Sequence, residues 1–269
     1  MSFTFLNQLP TPDEIKRDYP LSPELTELKA KRDAMIADVI TGKDDKRFLV
    51  IIGPCSADNE DSVCDYVSDL LSYVAIGARS AEDQQHRLTV SGFDVVSGFD
   101  VASGMKNPTS GDFSVMLNSV YAAQHSHHFI YRGYEVETTG NPLTHVVLRS
   151  AQSKHGNTVT NYHFEDLIRL HNMYEKMDLL YPAAVIDTNH SNSGKQFKEQ
   201  IRIAREVMHN RSVSPEIRSL VKGLMIESYI EEGCQHIGER VYGKSITDSC
   251  LGWEDSKQLI YDIAEMNMK

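Results

Sequence analysis

The chain has 269 residues, 41% hydrophobic and 24% charged, an ordinary balance for one large globular domain. A formal net charge of -11 with no Lys/Arg-rich run argues against nucleic acid or anionic membrane as partners, since both need a positive footprint. Cys55, Cys64, Cys234 and Cys250 are too sparse for a disulfide framework, no window reaches the roughly 18 apolar residues that cross a bilayer, and Met1 to Pro12 lacks the regions of a signal peptide, so a reduced, cytoplasmic protein is expected.

Residues 1–46 read as an N-terminal arm. Pro10, Pro12, Pro20 and Pro23 are expected to break its early part before a helix over Glu24 to Ile40, with Ser22 as N-cap, Pro23 in the first turn and Gly42 as the stop. The arm is either a solvated extension packed on the domain, or an oligomer contact or regulatory element; a homo-oligomer is expected. From residue 47 to 269 one domain alternates short apolar runs with amphipathic stretches, the pattern of parallel strands joined by helices. The runs are Phe48 to Ile52, Val74 to Gly77, Val101 to Met105, His145 to Leu148, Ala183 to Ile186 and Gly223 to Ile226. Helices are expected over Asp61 to Tyr73, Phe113 to Gln124, Phe164 to Met177, Lys195 to Met208 and Trp253 to Met266, and a hairpin over Phe129 to Thr138. The hexapeptide Val-Ser-Gly-Phe-Asp-Val stands at 90–95 and again at 96–101, read as a lengthened connection rather than a repeat fold.

Each apolar run is followed by a residue with chemical capacity: Cys55, Arg79, Lys106, Arg149, His190 and Glu227. In a barrel of parallel strands these carboxyl ends converge on the face where loops build the site. Cys55, His190 and Glu227, with Asp248 in the loop 243–248, could supply one thiolate, one imidazole and two carboxylates to a metal, a mixture suited to Mn²⁺, Fe²⁺, Co²⁺ or Zn²⁺. Singly, Cys55 also reads as a small buried hydrophobe, His190 as a helix cap, and Glu227 and Asp248 as loop acceptors. Arg79, Lys106 and Arg149 are either a grip for phosphate and carboxylate groups or rim charges paired with nearby acids. His125, His127 and His128 have metal-like spacing but enter the hairpin, which favours a structural role.

Several segments resemble the type I 3-deoxy-7-phosphoheptulonate (DAHP) synthases. They are Ile-Gly-Pro-Cys-Ser (52–56), Gly-Ala-Arg-Ser-Ala-Glu-Asp-Gln-Gln-His-Arg (77–87), Gly-Met-Lys-Asn-Pro-Thr-Ser-Gly (104–111) and Gly-Asn-Pro-Leu-Thr-His-Val-Val-Leu-Arg (140–149), then Ile-Asp-Thr-Asn-His-Ser-Asn-Ser-Gly-Lys-Gln (186–196), Met-Ile-Glu-Ser (225–228) and the run from Tyr242 to Asp255. The resemblance implies a TIM-type (β/α) barrel with an N-terminal helical arm and an inserted β-hairpin. It also implies a transferase that condenses phosphoenolpyruvate with erythrose 4-phosphate, the first step of the shikimate pathway toward the aromatic amino acids. By the same resemblance Cys55, His190, Glu227 and Asp248 hold a divalent transition metal, Arg79, Lys106 and Arg149 hold phosphoenolpyruvate, and Lys106 and His190 are catalytic.

The family pattern is interrupted. Members carry, after the first barrel helix, a strand ending in R-x-x-x-x-K-P-R-T and then a third strand, and no such motif occurs in this sequence. Two family strands are therefore expected to be missing, leaving an incomplete or distorted barrel. Ser150-Ala151 stands where the family usually has two glycines. Activity is expected to be impaired by the lost cations; the alternatives are an inactive binding or regulatory subunit, or a metal-dependent aldolase with another acceptor.

Overall fold

The computed structural model describes residues 7–8, 10–56, 58–69, 78–80, 104–131, 133–152 and 157–268. The duplicated hexapeptide, the run Val74 to Gly77 and residues 101–103 lie outside them.

The arm opens with a helix that the prolines were expected to prevent. Thr11 and Glu14 form a reciprocal capping box and Pro12 occupies the first turn, where its missing N–H costs nothing, so α1 runs Pro12–Asp18. Next, α2 covers Pro23–Thr41, capped by Ser22, whose hydroxyl accepts from the Leu25 N–H at 3.2 Å, and stopped by Gly42 at φ 77°.

Among the described residues the main sheet has six parallel strands: β1 (Leu49–Gly53), β2 (Ala78–Ser80), β3 (Gly104–Lys106), β6 (His145–Leu148), β9 (Ala184–Asp187) and β10 (Val221–Glu227). Their order is β1-β10-β9-β6-β3-β2. The strands follow one another across the sheet in sequence order from β2 to β10, with β1 beside β10, and among the described residues β1 and β2 are its two unpaired ends. Arg79 lies inside β2, opposite Met105, rather than after a strand, and Lys106 is the last residue of β3 rather than its successor. Two small antiparallel pairs are added: β4 (His128–Tyr131) with β5 (Tyr134–Glu137), the expected hairpin, and β7 (Ala151–Gln152) with β8 (Thr158–Val159).

The remaining helices are α3 (Glu60–Asp69), α4 (Phe113–Gln124), α5 (Phe164–Lys176), α6 (Glu199–Val213), α7 (Pro215–Leu220) and α8 (Trp253–Asn267). Their apolar faces close on the sheet in one core that includes Met116, Leu117, Leu167, Leu170, Ile203, Val207, Ile217 and Leu259 against Val146, Leu148, Ile186 and Leu224. Burial of this kind stabilises by about 25 cal/mol per Å² of apolar surface and is the main force holding helices to strands. The short helix α7 is not among the expected elements; Pro215 takes its first turn behind the Ser214 cap. No helix among the described residues is long and apolar enough to cross a membrane.

A second cluster joins Ile36, Ala37 and Ile40 of α2 to Leu49, Leu143 and Ala183, all at or just before the amino ends of strands. The arm therefore seats on the rim opposite the strand ends that carry the chemistry. A third cluster packs Tyr66 of α3 on Tyr229, Cys250, Trp253 and Cys55, with Tyr66 edge-on to Tyr229 at 5.8 Å and to Trp253 at 5.9 Å. This anchors the loop after β1 against the loop before α8.

One close approach fixes the turn after β3. Gly111 has φ +74°, and a Cβ placed on it would lie 2.4 Å from the Ala151 Cβ, so only glycine fits there while Ala151 stands opposite.

Candidate functional site

The carboxyl ends of β1, β9 and β10 bring the expected ligands together. One ligand atom each from Cys55, Glu227 and Asp248 lies within 4.8 Å of the others. His190 Nε2 stands 3.6 Å from Glu227 Oε1 and 3.9 Å from Asp248 Oδ2. A tetrahedral transition metal with bonds of about 2.0–2.3 Å sets its ligands roughly 3.3–3.8 Å apart; Cys55, Glu227 and Asp248 form a group of three near that spacing, and His190 stands outside it, beside Glu227 and Asp248.

Local chemistry explains why they meet. Asp187 ends β9 and its carboxylate lies 2.7 Å from His190 Nδ1, which leaves Nε2 facing Glu227 and Asp248. The approach is short but poorly aligned: neither Nδ1 nor Asp187 Oδ2 completes a hydrogen bond. His190 achieves this pose at φ 43°, a left-handed conformation uncommon outside glycine. Glu227 ends β10, where its backbone N–H donates to Gln200 Oε1 at 2.9 Å and its carbonyl accepts from Gln200 Nε2 at 3.0 Å. The Asp248 loop is tied to the Cys55 loop because the Ile246 N–H donates to Ser56 Oγ at 3.0 Å.

The electrostatics suit a cation. Burial pushes the Cys55 thiol and the Glu227 carboxyl up, the latter partly offset by His190 and Asn189. Contact with Asp187 pushes His190 up, against burial. For Cys55 and Glu227 the charged form is costly without a positive partner, and a divalent ion would favour the deprotonated thiol and carboxylate; the raised His190 instead favours its own protonated form.

Beside this corner stand Lys106 and Arg149. Burial, and then Arg149, push the Lys106 ammonium down, while Asp187, Glu227 and Cys55 act on it in the opposite sense, so it lies within electrostatic reach of the ligand set. Three buried asparagines hold the strand ends that carry these cations. Asn107 Oδ1 accepts from the Arg149 N–H at 2.8 Å and from Asn161 Nδ2 at 3.1 Å, and Asn107 Nδ2 donates to the Ser150 carbonyl at 2.6 Å. Asn161 Oδ1 accepts from the Ser150 N–H at 2.9 Å, and Asn192 Nδ2 donates to the Asp187 carbonyl at 2.9 Å. The Arg79 side chain lies outside the described residues.

The histidine cluster is dispersed in structural contacts: His125 Nδ1 meets the Tyr121 carbonyl at 2.8 Å, His127 the Ala122 carbonyl, and His128 lies 3.2 Å from Glu135 across the hairpin. Sequence reasoning missed Asp187, Asn189, Gln200 and the asparagine trio, although a carboxylate three residues before a strand-end histidine was a usable signal.

Residues 62–260 match the model of the DAHP synthetase I family. The chain belongs to this family. Among DAHP synthetase I relatives, the phospho-2-dehydro-3-deoxyheptonate aldolase of Haemophilus influenzae is 34% identical over 208 residues, which cover 74% of this chain and 53% of that protein. The Trp-sensitive phospho-2-dehydro-3-deoxyheptonate aldolase of Enterobacter agglomerans is 36% identical over 208 residues, covering 74% of this chain and 55% of that protein. The chain thus spans about half the length of the curated relatives it matches. The structure of the phospho-2-dehydro-3-deoxyheptonate aldolase from Francisella tularensis SCHU S4 superposes with a TM-score of 0.84 over 99% of both chains at 23% identity, which supports the same fold.

Proposed function

We propose that the chain is a metal-dependent aldol-type transferase that joins phosphoenolpyruvate to erythrose 4-phosphate, built on six strands of a TIM-type barrel. The observation that carries this reading is the meeting of Cys55, Glu227, Asp248 and His190 at one end of the parallel sheet, with Lys106 and Arg149 at the neighbouring strand ends.

Arg149, with Arg79, would grip the phosphate and carboxylate of phosphoenolpyruvate by paired charge-assisted bonds and hold its C3 toward the acceptor aldehyde. Cys55, His190, Glu227 and Asp248 would hold one Mn²⁺, Fe²⁺, Co²⁺ or Zn²⁺, which supplies Lewis-acid polarisation of that aldehyde. As C3 bonds to the aldehyde carbon, its oxygen takes a proton, and Lys106 is suited to give it because burial and Arg149 weaken its hold on that proton. Water then adds at C2 and phosphate leaves.

The test is an isotope-traced assay of the purified chain with labelled phosphoenolpyruvate, erythrose 4-phosphate and each metal in turn. Labelled heptulosonate phosphate is expected at a rate several orders of magnitude below a complete relative, because the R-x-x-x-x-K-P-R-T cations are absent and each lost positioning contact costs on the order of 10²-fold. That absence also favours a second reading, a binding or regulatory subunit. Binding of metal and phosphoenolpyruvate with no labelled product would select it.

A further inference from the structure

The tetrapeptide Asp187-Thr188-Asn189-His190 places an asparagine between two groups already given roles, and this asparagine is 2% exposed. Its amide nitrogen donates to Glu227 Oε2 and, at 3.1 Å, to the Ser249 carbonyl. The Ser249 carbonyl can only accept and Glu227 Oε2 takes the other N–H, so the amide nitrogen faces both partners and the amide sits in one orientation. The amide oxygen faces the other way and accepts from Ser193 Oγ at 2.9 Å, while the backbone N–H of Asn189 donates to Asp187 Oδ1 at 3.0 Å. All of its hydrogen-bonding groups on that side chain are thus used inside the site.

We propose that Asn189 is a positioning residue that restricts Glu227 to one donor oxygen and couples it to the loop carrying Asp248. The inference rests on the metal reading above. With Oε2 committed to the amide, Oε1 is the oxygen left facing His190 Nε2, 3.6 Å away. A carboxylate free to rotate could instead offer both oxygens to a cation or turn out of the centre. The second N–H fixes the residue after Asp248, so one planar amide sets the spacing of two ligands that come from β10 and from a separate loop. Groups that orient metal ligands in this way typically change affinity by about 10–100-fold when removed.

The experiment is a Co²⁺ titration of the metal-free full chain, read by the thiolate-to-cobalt charge-transfer band and by the visible ligand-field bands. Asn189→Leu keeps the approximate shape and removes both donors. It is expected to weaken Co²⁺ binding by about 10–100-fold and to alter the ligand-field bands while the thiolate band persists. Asn189→Leu with the affinity and spectrum of the unaltered chain overturns the proposal. If the unaltered chain itself shows no thiolate band, or Cys55→Ser retains it, the metal reading fails and this inference with it; a band lost in Cys55→Ser but a normal Asn189→Leu sinks only the inference. Should Asn189→Leu not fold, the unaltered chain labelled with ¹⁵N-asparagine decides: Zn²⁺ should shift the Asn189 side-chain NH₂ resonances and slow their solvent exchange, and resonances indifferent to Zn²⁺ count against the role.

Discussion

The two halves of the site are held in different ways. At the β1/β9/β10 corner, side chains hold side chains: Asp187 faces His190 and Asn189 holds Glu227. At the β3/β6 corner the asparagines hold only backbone and each other, and among the described residues neither the Lys106 ammonium nor the Arg149 guanidinium has a hydrogen-bond or ion-pair partner. The contrast teaches a division of labour. On the proposed reading the difference is apt: a metal would tolerate small errors in ligand placement poorly, whereas an anion could draw long flexible cations into place, so that only their roots need fixing.

Breaking the oriented corner should have the largest effect. Cys55→Ser and His190→Ala are each expected to lower Co²⁺ or Zn²⁺ affinity by more than about 100-fold, beyond what loss of an orienting group costs. Metal analysis after equilibrium dialysis checks this, and full metal content in the double variant would remove the four-ligand assignment.

The next effect concerns acid. His145 on β6 is fully buried, its Nδ1 lies 3.1 Å from the Leu143 carbonyl, its Nε2 has no partner among the described residues, and burial pushes its pKa down from 6.5 to about 4. Above pH 6.5 folded and unfolded chains both keep it neutral; below, the unfolded chain takes a proton that the folded one refuses until about pH 4. Stability should therefore fall across that window by on the order of 3 kcal/mol at its acid end. Urea midpoints at pH 7 and pH 4.5 should converge in His145→Leu relative to the parent, and an equal drop in both proteins would acquit His145. Amide exchange should show β6 loosening before β10 if the two corners differ as described.

At the cation corner, Arg149→Ala is expected to weaken phosphoenolpyruvate binding by about 10–100-fold, the worth of charge-assisted hydrogen bonds of roughly 1.5–3 kcal/mol. Calorimetric titration reads this, and an unchanged affinity would move the donor site elsewhere. The smallest effect is a gain. Ser150 sits at φ 76° with a buried hydroxyl that has no hydrogen-bond partner among the described residues, so Ser150→Gly should raise stability by about 1 kcal/mol in urea unfolding without altering metal affinity.

Local signals were legible wherever the cause was local. Helix α4 and strand β6 fall at the expected residues because their apolar periodicity is uninterrupted, and α2 because its cap and stop are written beside it. Pro12 misled because proline ends a helix from inside but begins one from its first turn; only the neighbouring Thr11 distinguishes the cases. The residues proposed as ligands stand out in the sequence only by their places at strand ends and in a following loop, and by the family resemblance. Asn189 does not stand out, since its partners lie 38 and 60 residues away and nothing in a linear pattern marks an asparagine that will meet a glutamate at the far side of a sheet.

The contact between Gly111 and Ala151 also makes the two positions interdependent. Because a side chain at 111 would overlap the Ala151 Cβ, position 151 must shrink before position 111 can accept even alanine, whereas the reverse order passes through a clashing intermediate. The left-handed backbone at Gly111 narrows the path further. Substitution at 111 therefore depends on the residue at 151, which couples the turn after β3 to the short strand β7.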